Sequence, residues 1–123
     1  MNPPPVTLDA AALALLRELD PDGRHGVIVR VMQAFETSLT RMLGQLSAQM
    51  ADGGRADAAA LASVAHALKS SSSSVGAMSL ARACTEIEHD VRCGAVTDLE
   101  SQVHRLKAEC EGALLAVKAM LHQ

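Results

Sequence analysis

The sequence predicts an all-α protein: an antiparallel four-helix bundle with a short additional helix at its N-terminal side. Three observations carry this. Alanine and leucine, both strong helix formers, dominate the chain. Aromatic residues make up 1 % of the 123 residues, a single Phe35 with no Trp or Tyr, whereas sheets favour aromatic and β-branched side chains. After the run Pro3-Pro4-Pro5 the only proline is Pro21, and the turn signals Asp20-Pro21-Asp22-Gly23, Asp52-Gly53-Gly54, Gly76 and Gly94 are few and well spaced.

These signals cut the chain into a tail and five helical segments. Residues 1–6 form an extended Pro-rich tail, and residues 7–123 form one domain, long enough to bury a core. The first helix runs from about Asp9 to Glu18, offers Leu8, Leu13 and Leu16 for burial, and is capped by Asp9 or Thr7. The second, about Arg24 to Met50, carries Ile28, Val31, Phe35, Leu39, Met42, Leu46 and Met50 at three-four spacing. The third starts at Asp57, a plausible N-cap, and carries Leu61, Val64, Ala65, Leu68 and Val75. The fourth, about Ala77 to Cys93, carries Leu80, Cys84, Ile87 and Val91. The fifth, about Thr97 to Leu121, carries Leu99, Val103, Leu106, Cys110, Leu114, Val117 and Leu121, with Thr97 and Glu100 reading as a capping box. Long amphipathic helices with short connections pack antiparallel, and the first helix then covers one end.

Composition narrows the function. A net charge of −3 gives no basic footprint for nucleic acid, and a chain with one ring has no base-stacking platform. The longest apolar run, Ala10 to Leu16, is too short to span a bilayer, and no signal peptide is read. Three cysteines fit a reducing cytoplasm better than a disulfide framework.

The third helix carries the chemistry. On a wheel of about 100° per residue, Leu61, Val64, Ala65, Leu68, Ser72 and Val75 fall within an arc of roughly 100°. His66 lies outside it, at roughly 140° from Leu61. Around it stand Ala62, Ser63, Lys69, Ser70 and Ser73, all small except Lys69. A solvated imidazole is largely neutral and nucleophilic at pH 7. Small neighbours admit another protein's surface, and an ammonium one turn along can hold a phosphoryl group. The spacing alone does not single out His66, because His104 and Lys107 repeat it. His104, however, is flanked by Glu100 and Glu111, whose charges would repel a phosphoryl group. A lone exposed histidine is most often merely solvated, so these residues prefer His66 without proving that it reacts.

The stretch from Ala65-His66-Ala67-Leu68-Lys69 through Ser70–Ser74 to Val75-Gly76-Ala77, followed by Leu80, Cys84, Ile87 and Glu88, resembles the signature of histidine-containing phosphotransfer (HPt) domains. Leu8, Asp9, Leu13 and Leu16 resemble the family's short leading helix. The resemblance implies a phosphorelay intermediate. His66 takes a phosphoryl group from a receiver-domain aspartate and passes it to another. Lys69 steadies the group, and Ala62, Ser63, Ser70 and Ser73 form the receiver-docking face. It further implies no autonomous kinase activity and no cofactor of its own, the Mg²⁺ being the receiver's. The partners are response-regulator receiver domains, and the module can be free-standing or part of a hybrid sensor histidine kinase. The family commonly has Gly directly after the Lys and again near the end of the motif, where Ser70 and Ser73 stand here.

Several further features read as structural. The serine run is in phase with the core arc, so it continues the helix, at a cost of roughly half a kcal/mol per Ser relative to Ala. Ser72 points inward and is expected to bond a carbonyl one turn back. Glu86, Glu88 and Asp90 read as a solvated acidic face. His89 and Cys93 are an i,i+4 pair with zinc-ligand spacing, but Cys84 belongs to the apolar stripe and no fourth ligand is indicated. A monomer in the cytoplasm is expected. The reading from a different class is a non-catalytic helical interaction module.

Overall fold

The computed structural model describes residues 8–51, 57–96 and 98–121. Five helices follow in order: α1 (Ala10–Glu18), α2 (Val27–Ala51), α3 (Ala58–Ser74), α4 (Met78–Arg92) and α5 (Leu99–Leu121). The described residues contain no strand. The tail predicted over residues 1–6 and the position of Thr97 lie outside them.

The helix ends follow from local chemistry. Asp9 caps α1 by accepting from Ala12 N at 3.1 Å, and Asp57 caps α3 by accepting from Ala59 N at 3.0 Å, each satisfying an amide the helix leaves unpaired. At α5, Asp98 accepts from Ser101 N at 3.2 Å, so the aspartate one residue on fills the cap position that the sequence suggested for Thr97. α2 starts at Val27, three residues later than expected. Gly26 takes φ +59°, and Asp20 reaches across the loop to accept from His25 N and Val27 N. Burial on its own would raise the Asp20 carboxyl, but the Val27 and His25 amides outweigh it and leave it below the ordinary value.

The C-terminal ends of α3 and α4 are both Schellman motifs. At the end of α3, Ala77 N donates to Ser72 O and Gly76 N to Ser73 O. At the end of α4, Ala95 N donates to Asp90 O and Gly94 N to Val91 O. Gly76 has φ +83°, and a Cβ there would lie 2.6 Å from Asp9 N, which donates to Gly76 O at 2.8 Å. Only glycine fits this turn. It pins the start of α1 to the α3–α4 connection, and so fixes the register between the helices that form the site.

The bundle packs α3 most extensively on α4 and α2 on α5. Its core holds most of the predicted stripes of α3, α4 and α5: Leu61, Val64, Ala65, Leu68, Val75, Leu80, Cys84, Ile87, Val103, Leu106, Cys110 and Val117 are buried, whereas Val91, Leu99, Leu114 and Leu121 are only partly so, and Ala113, outside the expected stripe, is fully buried. In α2 the stripe turns slightly from the expected one. Met32 is fully buried, while Ile28 and Val31 are only partly so and pack against the core. The Met50 side chain lies outside the described residues. Ser72 is fully buried, but its Oγ finds no partner among the described residues, contrary to the expected bond one turn back. Its neighbours make that kind of bond instead: Ser73 Oγ donates to Lys69 O and Ser74 Oγ to Ser70 O. Burial pushes the thiols of Cys84 and Cys110 up to about 12, so both are inert packing groups; Cys93 is exposed.

Candidate functional site

His66 stands on the outer side of α3 with its side chain 74 % exposed, as its angle from the core stripe predicts. It is not a freely solvated ring. Its Nδ1 lies 2.7 Å from Oε2 of Glu88 on α4. Lys69, one turn along α3, donates from Nζ to Glu88 Oε1 at 2.9 Å. Arg92, one turn along α4, donates to the same Oε1 at 3.1 Å.

Glu88 is therefore the centre of the site, which corrects the reading of Glu86, Glu88 and Asp90 as one solvated acidic face. Glu88 is buried, whereas Glu86 is exposed and pairs with Arg105 of α5. Three cationic or donor groups on one carboxylate explain how it can be buried. Foremost Lys69, then His66, holds the Glu88 carboxyl below its ordinary value against the opposing effect of burial. A carboxylate without a proton can only accept. Nδ1 of His66 must then carry the hydrogen and donate it, which leaves the lone pair of the neutral ring on Nε2. Within an imidazole Nε2 points away from Nδ1, so the nucleophilic nitrogen faces solvent. The carboxylate fixes the tautomer and aims the ring.

The surroundings match the sequence expectation of close access. Ser63, Ser70 and Ser73 are exposed and Ala62 half-buried, so no long side chain from these positions stands over the ring. Lys69 is brought to the site, but its ammonium rests on Glu88. Lys69 and Arg92 against one carboxylate leave one net positive charge beside His66, favourable for an incoming anion. His104 lies at the other end of this scale. Its Nε2 is 4.0 Å from Glu100 Oε1, with both side chains about 60 % exposed. Cys93 Sγ lies 3.7 Å from His89 Nε2, and Cys84 sits in the core. Among the described residues no three His, Cys, Asp or Glu side chains converge as a metal site would require.

An exposed imidazole oriented by a carboxylate on a helical bundle defines a phosphotransfer class of protein, and the comparisons agree. The Hpt domain family model matches residues 30–120, and the chain belongs to that family. It is a histidine phosphotransfer intermediate of phosphorelays, the type of module that carries phosphoryl groups in two-component signalling. Hpt domains are phosphocarriers rather than kinases, and proteins of the family interact with receiver domains and histidine kinases. Among solved structures, the crystal structure of histidine-containing phosphotransfer protein B (HptB) from Pseudomonas aeruginosa PAO1 is similar. It shares 29 % identity and a TM-score of 0.73, and the match covers 94 % of each chain. No curated protein matches. No helix among the described residues is long and apolar enough to cross a membrane.

Proposed function

We propose that His66 is the phosphoacceptor, taking a phosphoryl group from a receiver aspartate and returning it to another. The observation that supports this is the 2.7 Å contact from Nδ1 to the buried Glu88 carboxylate, which leaves Nε2 outward and nucleophilic. In the transfer, the Nε2 lone pair attacks phosphorus in line. The N–P bond forms as the P–O bond of the aspartyl phosphate breaks, and the aspartate leaves with the electron pair as a carboxylate. The proton on Nδ1 stays in its hydrogen bond, and the negative Glu88 offsets the positive charge that develops on the ring. The N–P product is itself high in energy, so the reaction runs in both directions.

Lys69 steadies the phosphoryl group, and Ala62, Ser63, Ser70 and Ser73 form the face on which the receiver docks. The receiver brings its own Mg²⁺, which stabilises charge on the transferring oxygens. The domain has no kinase activity of its own; it works as a monomer, because its core stripes are largely spent within one bundle, and in the cytoplasm, which its three cysteines fit. The test is direct. A receiver domain from the same organism is charged with labelled acetyl phosphate and mixed with the protein. Label passes to the wild type and to His104→Gln, and not to His66→Gln. Label that enters His66→Gln as readily as the wild type would show the histidine to be idle and the bundle a plain interaction module.

A further inference from the structure

Several hydroxyls on these helices turn back on the backbone. Thr37, Thr40, Ser73, Ser74 and Thr85 each donate to the carbonyl four residues earlier, and Ser71 to the one three earlier. Ser63, on the turn of α3 just before His66, does not. It is exposed, and its Oγ bonds no group among the described residues. Its hydroxyl is therefore available.

The direction of the ring brings that hydroxyl into play. On the helix wheel Lys69 stands about 60° to one side of His66 and Ser63 about 60° to the other. Lys69 marks the side of α4, because its ammonium and His66 Nδ1 meet on Glu88. Nε2 points away from Nδ1 within the imidazole, and so toward the flank that carries Ser63. The direction along the helix agrees. A long side chain on a helix leans back over the preceding turn, and for His66 that is the turn of Ala62 and Ser63. Ala62 lies about 40° toward the side of Lys69, is half-buried and has no donor. Ser70 is exposed on the same flank as Ser63, but on the turn from which the ring leans away.

We infer that Ser63 is a phosphoryl-binding residue: when Nε2 carries the phosphoryl group, the Ser63 hydroxyl donates a hydrogen bond to one of its oxygens. The inference rests on His66 being the acceptor and deepens that reading. No proton changes hands, because the hydroxyl keeps its hydrogen while donating. The oxygen that accepts is anionic, and charge on one partner strengthens such a bond. The bond exists only while the group is on His66. It therefore favours the phosphohistidine over the aspartyl phosphate and sets how far the transfer runs.

The test is the balance point of the reversible transfer. The protein and a labelled receiver from the same organism are mixed in each direction, and forward and reverse rates are read by rapid quench. The labelled residue is mapped by peptide mass analysis. A change in docking alters both rates alike and leaves their ratio in place, whereas a change in the hold on the phosphoryl group moves the ratio. Ser63→Ala should shift it about fivefold toward the receiver, the scale of one solvent-exposed hydrogen bond. Alanine is the better helix former, so the variant keeps its fold. Ser63→Thr keeps the hydroxyl and should retain most of the wild-type ratio. Ser70→Ala, whatever it does to the rates, should leave the ratio where it is. An unchanged ratio in Ser63→Ala, an equal shift in Ser70→Ala, or a Ser63→Thr ratio like that of Ser63→Ala would overturn the role given to Ser63 while leaving His66 as acceptor. Label mapped away from His66 in the wild type would overturn the acceptor reading and this inference with it.

Discussion

His66 on α3 and His104 on α5 share one spacing, each followed three residues on by a lysine, and both rings are well exposed. They differ in what the neighbouring helix delivers. α4 brings the buried Glu88 to 2.7 Å from His66. The acid nearest His104 is Glu100 of its own helix, exposed and 4.0 Å away. A carboxylate that is free to swing through water cannot fix a tautomer. One that is fenced by three donors and pinned by the α3–α4 turn can. A three-residue spacing is thus a common surface accident, and the partner from across the bundle is what turns one copy of it into a site.

The largest effect expected from breaking this difference is at Glu88. Glu88→Ala should lower the rate of phosphoryl transfer to the domain by about a hundredfold, the scale of a lost orienting or proton-holding group. Glu100→Ala should leave the rate unchanged. Rapid-quench measurement with one charged receiver compares the two, and equal rates in Glu88→Ala and wild type would remove the distinction between the histidines.

The next effect is on stability against pH. Lys69 first, then His66, depresses the Glu88 carboxyl below its ordinary 4.5. A carboxyl that is more acidic in the folded state binds its proton more weakly there than in the unfolded chain. Its stabilising contribution is therefore complete above about 4.5 and fades as the pH falls through the lower folded value. Urea unfolding of wild type and Glu88→Gln should differ most at pH 7 and converge as the pH is lowered toward 3. A gap that stays constant with pH would mean that Glu88 is not held as the ionised acceptor.

Much of this was legible beforehand, for physical reasons that also mark the limit. The period of the apolar residues places α3, α4 and α5 with their inward faces, because burial repeats every three to four residues. It places His66 outside the core by the same arithmetic. It does not tell which residue of α4 stands opposite His66, since that depends on the register between two helices. Glu88 lies four residues from Cys84 and seven from Ala81, both buried, so it belongs to the edge of the stripe rather than to the exposed face of Glu86. The aliphatic–acidic pair Ile87-Glu88 was visible, but charged side chains seldom go inside unless paired, and its partners sit on another helix. Met32 is the exception: it stands three residues before Phe35 and continues the buried row Phe35, Leu39, Met42 and Leu46, about 100° from Val31 on the wheel, so the period points to it and Val31 is the neighbour that lies to one side. Capping at α5 moved one residue because Asp and Thr are near equivalents at that position.

Access to the ring gives a smaller effect. Ser70 stands four residues after His66, and Ala108 stands four after His104; both are exposed. Ser70→Arg should slow transfer about tenfold by setting a long side chain where the receiver must approach, an amount on the scale of 1.4 kcal/mol of docking energy. Ala108→Arg should not slow it. Both variants should keep the wild-type helical circular dichroism. Unimpaired transfer in Ser70→Arg would show that close approach does not pass over this side of α3.

The smallest effect separates the site from the scaffold that carries it. α3 and α5 start alike, with Asp57 bonding Ala59 N at 3.0 Å and Asp98 bonding Ser101 N at 3.2 Å. Asp57→Ala and Asp98→Ala should each cost about 1 kcal/mol of folding stability, read as a lowered urea midpoint at unchanged slope. His66 lies more than two turns beyond Asp57 and is held from α4, by Glu88. The transfer rate should therefore stay at the wild-type value in both variants, although one cap is on the helix that bears the histidine. A slower rate in Asp57→Ala alone would mean that the aim of the ring depends on the start of α3 as well as on the carboxylate across from it.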